Sequence, residues 1–221
     1  MRQVSIIKEN HSRLLLFFAG WACDETPFRH YRPQGMDYTV CFDYRTLDMD
    51  TDFTSRYEEV HIVGWSMGVW AASHVAPRIG GNVATSTALN GTPFPIDELR
   101  GIPPAIYQGT MEGLCGASLH KFLRRMCADS TAFRAFLSMT PRRPLEELRE
   151  ELASISKQDA SLPAPRWDWT EAVTGMDDRI IPPANQLKAW REAGTPVRQE
   201  PCAHYHEPMF HHYLQDRWTK D

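Results

Sequence analysis

The chain has 221 residues, 24 Lys and Arg against 28 Asp and Glu, and a formal net charge of −4. That length suits one domain with room for a subdomain and a sizeable core, and the charge balance argues against a nucleic-acid or anionic-membrane binder. No run approaches the roughly 18 consecutive apolar residues of a membrane-spanning helix.

The opening MRQVSIIKEN is charged again at Lys8 and lacks a signal-peptide apolar core, and within it VSII (4–7) is a weak edge-strand candidate. RLLLFFAGW (13–21) is a continuous apolar run closed by Gly, the pattern of a strand buried on both faces. YTVCFDYR (38–45), EEVHIVGW (58–65) and NVATSTALNG (82–91) are the next strands, with helical patterns at 24–31, 50–57 and 66–75. From Pro93 to about Leu162 there is only helical periodicity. Leu119, Phe122, Leu123 and Met126 form one apolar stripe, and Leu145, Leu148 and Leu152 another. Strand RWDWTEAVTG (166–175), helix PPANQLKAWREAG (182–194), strand PVRQEP (196–201) and helix EPMFHHYLQDRW (207–218) complete the chain. Alternating strands and helices predict an α/β fold with a mostly parallel sheet covered on both faces. The predicted division is a core over 1–93 and 164–221, interrupted by a helical cap over 94–163 above the sheet's carboxyl edge. The five cysteines, without paired metal-type spacing, suit free thiols in a reducing cytoplasm.

Gly64-Trp65-Ser66-Met67-Gly68 is a G-x-S-x-G that follows a predicted strand and opens a predicted helix. A serine attacks well only when exposed on such an elbow, beside a base, and near donors for an oxyanion. The plain alternative is a tight turn. An orienting acid and a base should follow in that order. Asp178, at the end of the strand in TGMDDRIIPP, is the predicted acid, with Asp177 as competitor and a helix-capping turn as the plain alternative. In PCAHYHEPMFHH, His206 sits just before the last helix and is the favoured base, with His204 the alternative; His211 and His212 fall within the helix. His204-x-His206 could also present two imidazoles to a metal, but no third ligand has convincing spacing. The oxyanion hole needs two backbone N–H groups; Met67 and Trp21, in the loop after an early central strand, are the predicted donors. Cys23 nearby suits a buried structural position better than a reactive one.

Together these pieces resemble the α/β-hydrolase fold. FFAGWACDETPF, FDYR, GWSMGVW, ALNGTPFPID, KFLRRM and DRIIPPANQLKAW resemble the BioG family of pimeloyl-[acyl-carrier-protein] methyl ester esterases across nearly the whole chain. The resemblance implies a compact version of the fold that uses no metal or organic cofactor. It implies hydrolysis of the methyl ester on a pimeloyl chain held by acyl carrier protein, in biotin production. It places the serine on Ser66, the acid on Asp178, the histidine on His206 and the oxyanion donors on Trp21 and Met67. Residues 121–143 hold six cations (Lys121, Arg124, Arg125, Arg134, Arg142 and Arg143) against the single acid Asp129. Lys121, Arg124 and Arg125 project opposite the apolar stripe, so the resemblance makes Lys121, Arg124, Arg125, Arg142 and Arg143 the expected contacts for an acidic carrier protein. The competing readings are a general carboxylesterase or thioesterase of the same fold, and a non-catalytic relative that binds a ligand.

Overall fold

A computed structural model describes residues 1–80 and 82–219. Seven strands, β1 (Arg2–Ile7), β2 (Arg13–Phe18), β3 (Asp37–Phe42), β4 (Glu59–Trp65), β5 (Val83–Leu89), β6 (Glu171–Gly175) and β7 (Val197–Glu200), form one sheet in the order β1-β3-β2-β4-β5-β6-β7. Only β1, on β3, pairs antiparallel; every other neighbour is parallel. Leu14 to Phe18 of β2 and all of β3 are buried, as continuous apolar runs in a sheet covered on both faces must be.

Two predicted crossover helices do not form. The segment at 24–31 contains only a 3-10 turn, Thr26–Phe28, and that at 50–57 only Asp52–Arg56. Side chains hold backbone groups in both, and in the second they compete with the helical hydrogen bonds. Asp24 accepts from Thr26 N–H, and the chain makes a single 3-10 turn there. In the second segment Gln3 holds both the carbonyl and the N–H of Asp50, while Thr54 and Ser55 bond back to Thr51 and Asp52. Phe28 nonetheless anchors its turn, with its ring 4.7 Å from that of Phe17.

Helix α1 (Met67–Val75) follows β4 directly. Between β5 and β6 lie α2 (Pro104–Glu112), α3 (Gly116–Met126), α4 (Ser130–Leu137) and α5 (Leu145–Ser161). Asp129 caps α4 through Thr131 and Ala132 N–H, and α3 opens on a reciprocal Cys115–Ser118 cap. Both apolar stripes turn inward: Leu123, Met126, Leu148 and Leu152 are buried, while Lys121, Arg124 and Arg125 face outward. Helix α6 (Pro183–Ala193) joins β6 to β7, ending on Gly194 in the left-handed conformation. Helix α7 (Glu207–Leu214) ends short of its predicted limit; a 3-10 turn follows, in which Trp218 Nε1–H donates to the Tyr213 carbonyl. No described helix is long and apolar enough to cross a membrane.

Candidate active site

The elbow at Ser66 is sharp because β4 ends on Trp65 and α1 begins on Met67, leaving one residue to turn the chain. Ser66 adopts φ 57° and ψ −124°, a strained conformation for a residue with a Cβ. It survives because the turn is held on each side: Ser66 N–H donates to the Leu89 carbonyl at 3.0 Å, and Val69 N–H donates back to Ser66 at 3.0 Å. Gly68 is obligatory for packing, since a Cβ there would stand 2.0 Å from the Phe18 carbonyl oxygen. The strain thus lifts one hydroxyl to the carboxyl end of the sheet.

Asp178 lies in the turn after β6, and its carboxylate is fully engaged. One oxygen accepts Ile180 and Ile181 N–H at 2.7 and 3.0 Å; the other accepts Gln186 Nε2–H at 2.8 Å and faces His204 Nδ1 at 2.8 Å. Asp177, the competitor, is exposed and contributes its backbone N–H to the Cys202 carbonyl.

The predicted base is corrected by the geometry. His204, not His206, stands between acid and hydroxyl, with Nε2 3.0 Å from Ser66 Oγ. With Nδ1–H donated to Asp178, Nε2 is free to accept the serine proton. The Tyr205 N–H donates to Met126 and binds the loop to the end of α3, while Trp65 Nε1–H donates to the His204 carbonyl at 3.0 Å. His206 is spent as the N-cap residue of α7: its carbonyl accepts Met209 and Phe210 N–H, and its ring is partly exposed among groove residues away from Ser66. The signal in the sequence was Glu207-Pro208, which marks the start of a helix and so assigns the preceding residue to capping.

Above Ser66 lies a cavity of about 50 Å³, lined by Trp21, Met67, Tyr107 of α2, Phe122 and Arg125 of α3, and Leu152 of α5, among others. Trp21, Thr110, Phe122 and Arg125 also line an adjoining groove of about 190 Å³ between α2 and α3. The Trp21 and Phe122 rings meet edge to face, 4.9 Å apart. Helices α2, α3 and α5 therefore bring side chains over Ser66. Among the described residues, neither the Trp21 nor the Met67 backbone N–H has an acceptor in the protein, which leaves both available to an oxyanion beside Ser66. Burial pushes the neighbouring Cys23 thiol far above its ordinary range, so it is no nucleophile at neutral pH.

The basic residues divide. Lys121, Arg124 and Arg125 are exposed and, with Arg179 of the acid turn, line a groove of about 270 Å³. Arg142 and Arg134 are exposed too. Arg143 is the second correction: its side chain is 2% exposed and lies 2.6 Å from Glu151, 3.2 Å from Asp43 and 3.6 Å from Glu147. It cannot reach a partner, because three carboxylates claim it beneath α5. The site residues not anticipated are Gln186, Trp65 and Arg179; a buried glutamine on the inner face of α6, eight residues after Asp178, was the only one with a spacing to notice.

A family model described as pimeloyl-ACP methyl esterase BioG matches residues 2–215. The chain belongs to the BioG family. It is similar to the crystal structure of BioG from Haemophilus influenzae, with 34% identity, a TM-score of 0.87 and coverage of 98% of this chain and 100% of that one. It is 50% identical over 195 residues to a protein of Bacteroides fragilis (strain 638R) named malonyl-[acyl-carrier protein] O-methyltransferase. That match takes in 88% of this chain but only 40% of the relative, so the chain spans less than half of that protein's length. An enol-lactonase from Burkholderia xenovorans LB400 shares the fold, with a TM-score of 0.64 at 13% identity over 92% of this chain and 88% of that one. The BioG chain has the α/β-hydrolase fold, and family and fold together support an esterase-type enzyme.

Proposed function

We propose that this BioG chain hydrolyses the methyl ester of a pimeloyl group carried on acyl carrier protein, releasing methanol and leaving the carrier thioester intact, in the cytoplasmic route to biotin. The observation that carries the reading is the unbroken series Ser66 Oγ, His204 and Asp178 in a chain of this family. His204 Nε2 takes the Ser66 proton as Oγ attacks the ester carbonyl, and Asp178 holds the tautomer and the imidazolium that forms. The Trp21 and Met67 N–H groups stabilise the tetrahedral oxyanion, each contributing about 3 kcal/mol. Methanol leaves with the proton from His204, and water activated by the same base then releases the acyl chain from Ser66.

Lys121, Arg124, Arg125 and Arg142 supply an outward basic face on a protein that is acidic overall, which suits an acidic carrier. Arg179 extends that face to the acid turn. Five free cysteines suit a reducing compartment. The name of the Bacteroides fragilis relative fits the same chemistry: a methyl ester on a carrier-bound acid is what such an activity would leave and what this chain would cleave. The test is mass analysis of pimeloyl-carrier methyl ester after incubation with the protein and with Ser66→Ala. Loss of methyl alone, absent with the variant, supports the reading. Loss of the whole acyl chain identifies a thioesterase instead, and an untouched carrier ester beside a cleaved aryl ester leaves a general esterase.

A further inference from the structure

Strand β5 runs out in Leu89-Asn90-Gly91, three residues to which the reaction above gives no part. Each nevertheless touches the reacting array. The Leu89 carbonyl accepts the Ser66 N–H, and Gly91 lies so close to the elbow that a Cβ there would stand 2.5 Å from the Ser66 carbonyl oxygen. Asn90 reaches the other two members. It is fully buried, and its Oδ1 accepts the Gly175 N–H at 2.6 Å, three residues before Asp178. Its Nδ2 donates to the Ala203 carbonyl at 3.0 Å and to the His204 carbonyl at 2.9 Å.

The arrangement asks for a carboxamide: one acceptor and two donors in a fixed plane. Aspartate could keep only the acceptor, and a hydroxyl is too short to span both loops. The backbone carries a cost as well. Asn90 has φ 44°, in the left-handed region that non-glycine residues keep only where the surroundings demand it, Asn more readily than most. The His204 carbonyl accepts a second hydrogen bond, from Trp65 Nε1, so the backbone of this histidine is pinned by the residues that close β4 and β5.

We infer that Asn90 is a positioning residue for hydrolysis: its carboxamide ties the turn bearing Asp178 and the loop bearing His204 to one fixed point beside Ser66. The imidazole then stays between acid and hydroxyl as the proton moves. This rests on the serine-esterase reading of Ser66. Loss of the tie lets His204 drift by a fraction of an ångström, and misplacement of about 1 Å costs on the order of 100-fold in rate.

The experiment uses Asn90→Gly, which keeps the left-handed backbone accessible while removing the carboxamide, and Asn90→Asp, which keeps the shape and the acceptor but loses both donors. Steady-state hydrolysis of p-nitrophenyl butyrate, Ser66 labelling by a fluorophosphonate and thermal melting are measured for each variant and the wild type. Both variants should lose roughly 10- to 100-fold in kcat with KM changed by less than about threefold. Labelling of Ser66 should slow in proportion to kcat. Folded variants with wild-type kcat and wild-type labelling would overturn the inference, as would a fall in melting temperature with kcat retained. If Asn90→Gly does not fold, Asn90→Asp decides by the same criteria. A wild type that neither cleaves the ester nor labels at Ser66 overturns the esterase reading, and this inference with it.

Discussion

Arg143→Met should unfold this protein readily and do little to carrier recognition. Arg143 sits at the centre of a buried charge cluster, 2.6 Å from Glu151, which is fully buried, and 3.2 Å from Asp43, also buried. Burial raises the Glu151 carboxyl by more than the Arg143 charge and the Tyr44 N–H lower it, so Glu151 already carries a disfavoured charge. Burial likewise works to raise Asp43, but hydrogen bonding to Arg45 and the charges of Arg143, Arg45 and Arg2 outweigh it and hold that carboxyl low. Removing Arg143 therefore leaves Asp43 with partners and Glu151 without a cation. An uncompensated buried charge of this kind costs about 3–5 kcal/mol. Arg143→Met/Glu151→Leu removes both charges and should regain about half of that loss, leaving about 1–3 kcal/mol for the Tyr44 N–H, whose acceptor Glu151 is gone. Urea denaturation of the two variants measures the difference, and KM for a carrier-bound ester in the folded protein should stay near wild type. A single variant of wild-type stability with raised KM would restore Arg143 to the surface and refute the reasoning.

Exchange of the two histidines separates them: His204→Ala should lower kcat by at least about 1,000-fold, whereas His206→Ala should leave it within about threefold. Near-equal losses in ester hydrolysis would contradict the geometry. Asp159 is raised from the ordinary 3.8 to about 6, by burial first and the Asp97 charge second. The folded form is therefore penalised progressively as pH rises between those values, and fully above about 6. Asp159→Asn should be neutral below the unfolded value and stabilise by about 1–2 kcal/mol at pH 8, a figure reduced for the solvent that still reaches the side chain; equal melting at pH 8 would rule this out. Phe122→Ala should join the cavity over Ser66 to the groove between α2 and α3, raising hydrolysis of long-chain over acetate aryl esters. An unchanged ratio would show that Phe122 is no partition.

The strands were readable because the sheet is buried on both faces. Leu14 to Phe18 can be apolar without interruption only if helices or turns lie above and below. The two missing crossover helices were unreadable for a physical reason. Their local periodicity is real, but in the second segment Gln3 holds the Asp50 carbonyl that a helix would need, and it reaches there from β1, 47 residues away. No window along the chain contains that competitor.

The same division runs through the site. The elbow at Ser66 was legible because its pattern is local: strand, glycines, hydroxyl and helix lie within ten residues. Asp178 was nearly so, since the N–H groups of Ile180 and Ile181 that bind it are its own neighbours. The choice between His204 and His206 was not local. It turns on Met126, Trp65 and Asn90, which grip the loop from α3, β4 and β5, and only the capping role of His206 left a trace in the sequence. Arg143 shows the limit most clearly. Arg142 and Arg143 are adjacent and chemically identical, yet one is exposed and the other buried among carboxylates supplied by β3's exit and by α5. Charge clustering along the chain can announce a basic face, but membership of that face is decided by where the acids are, and Asp43 is 100 residues upstream.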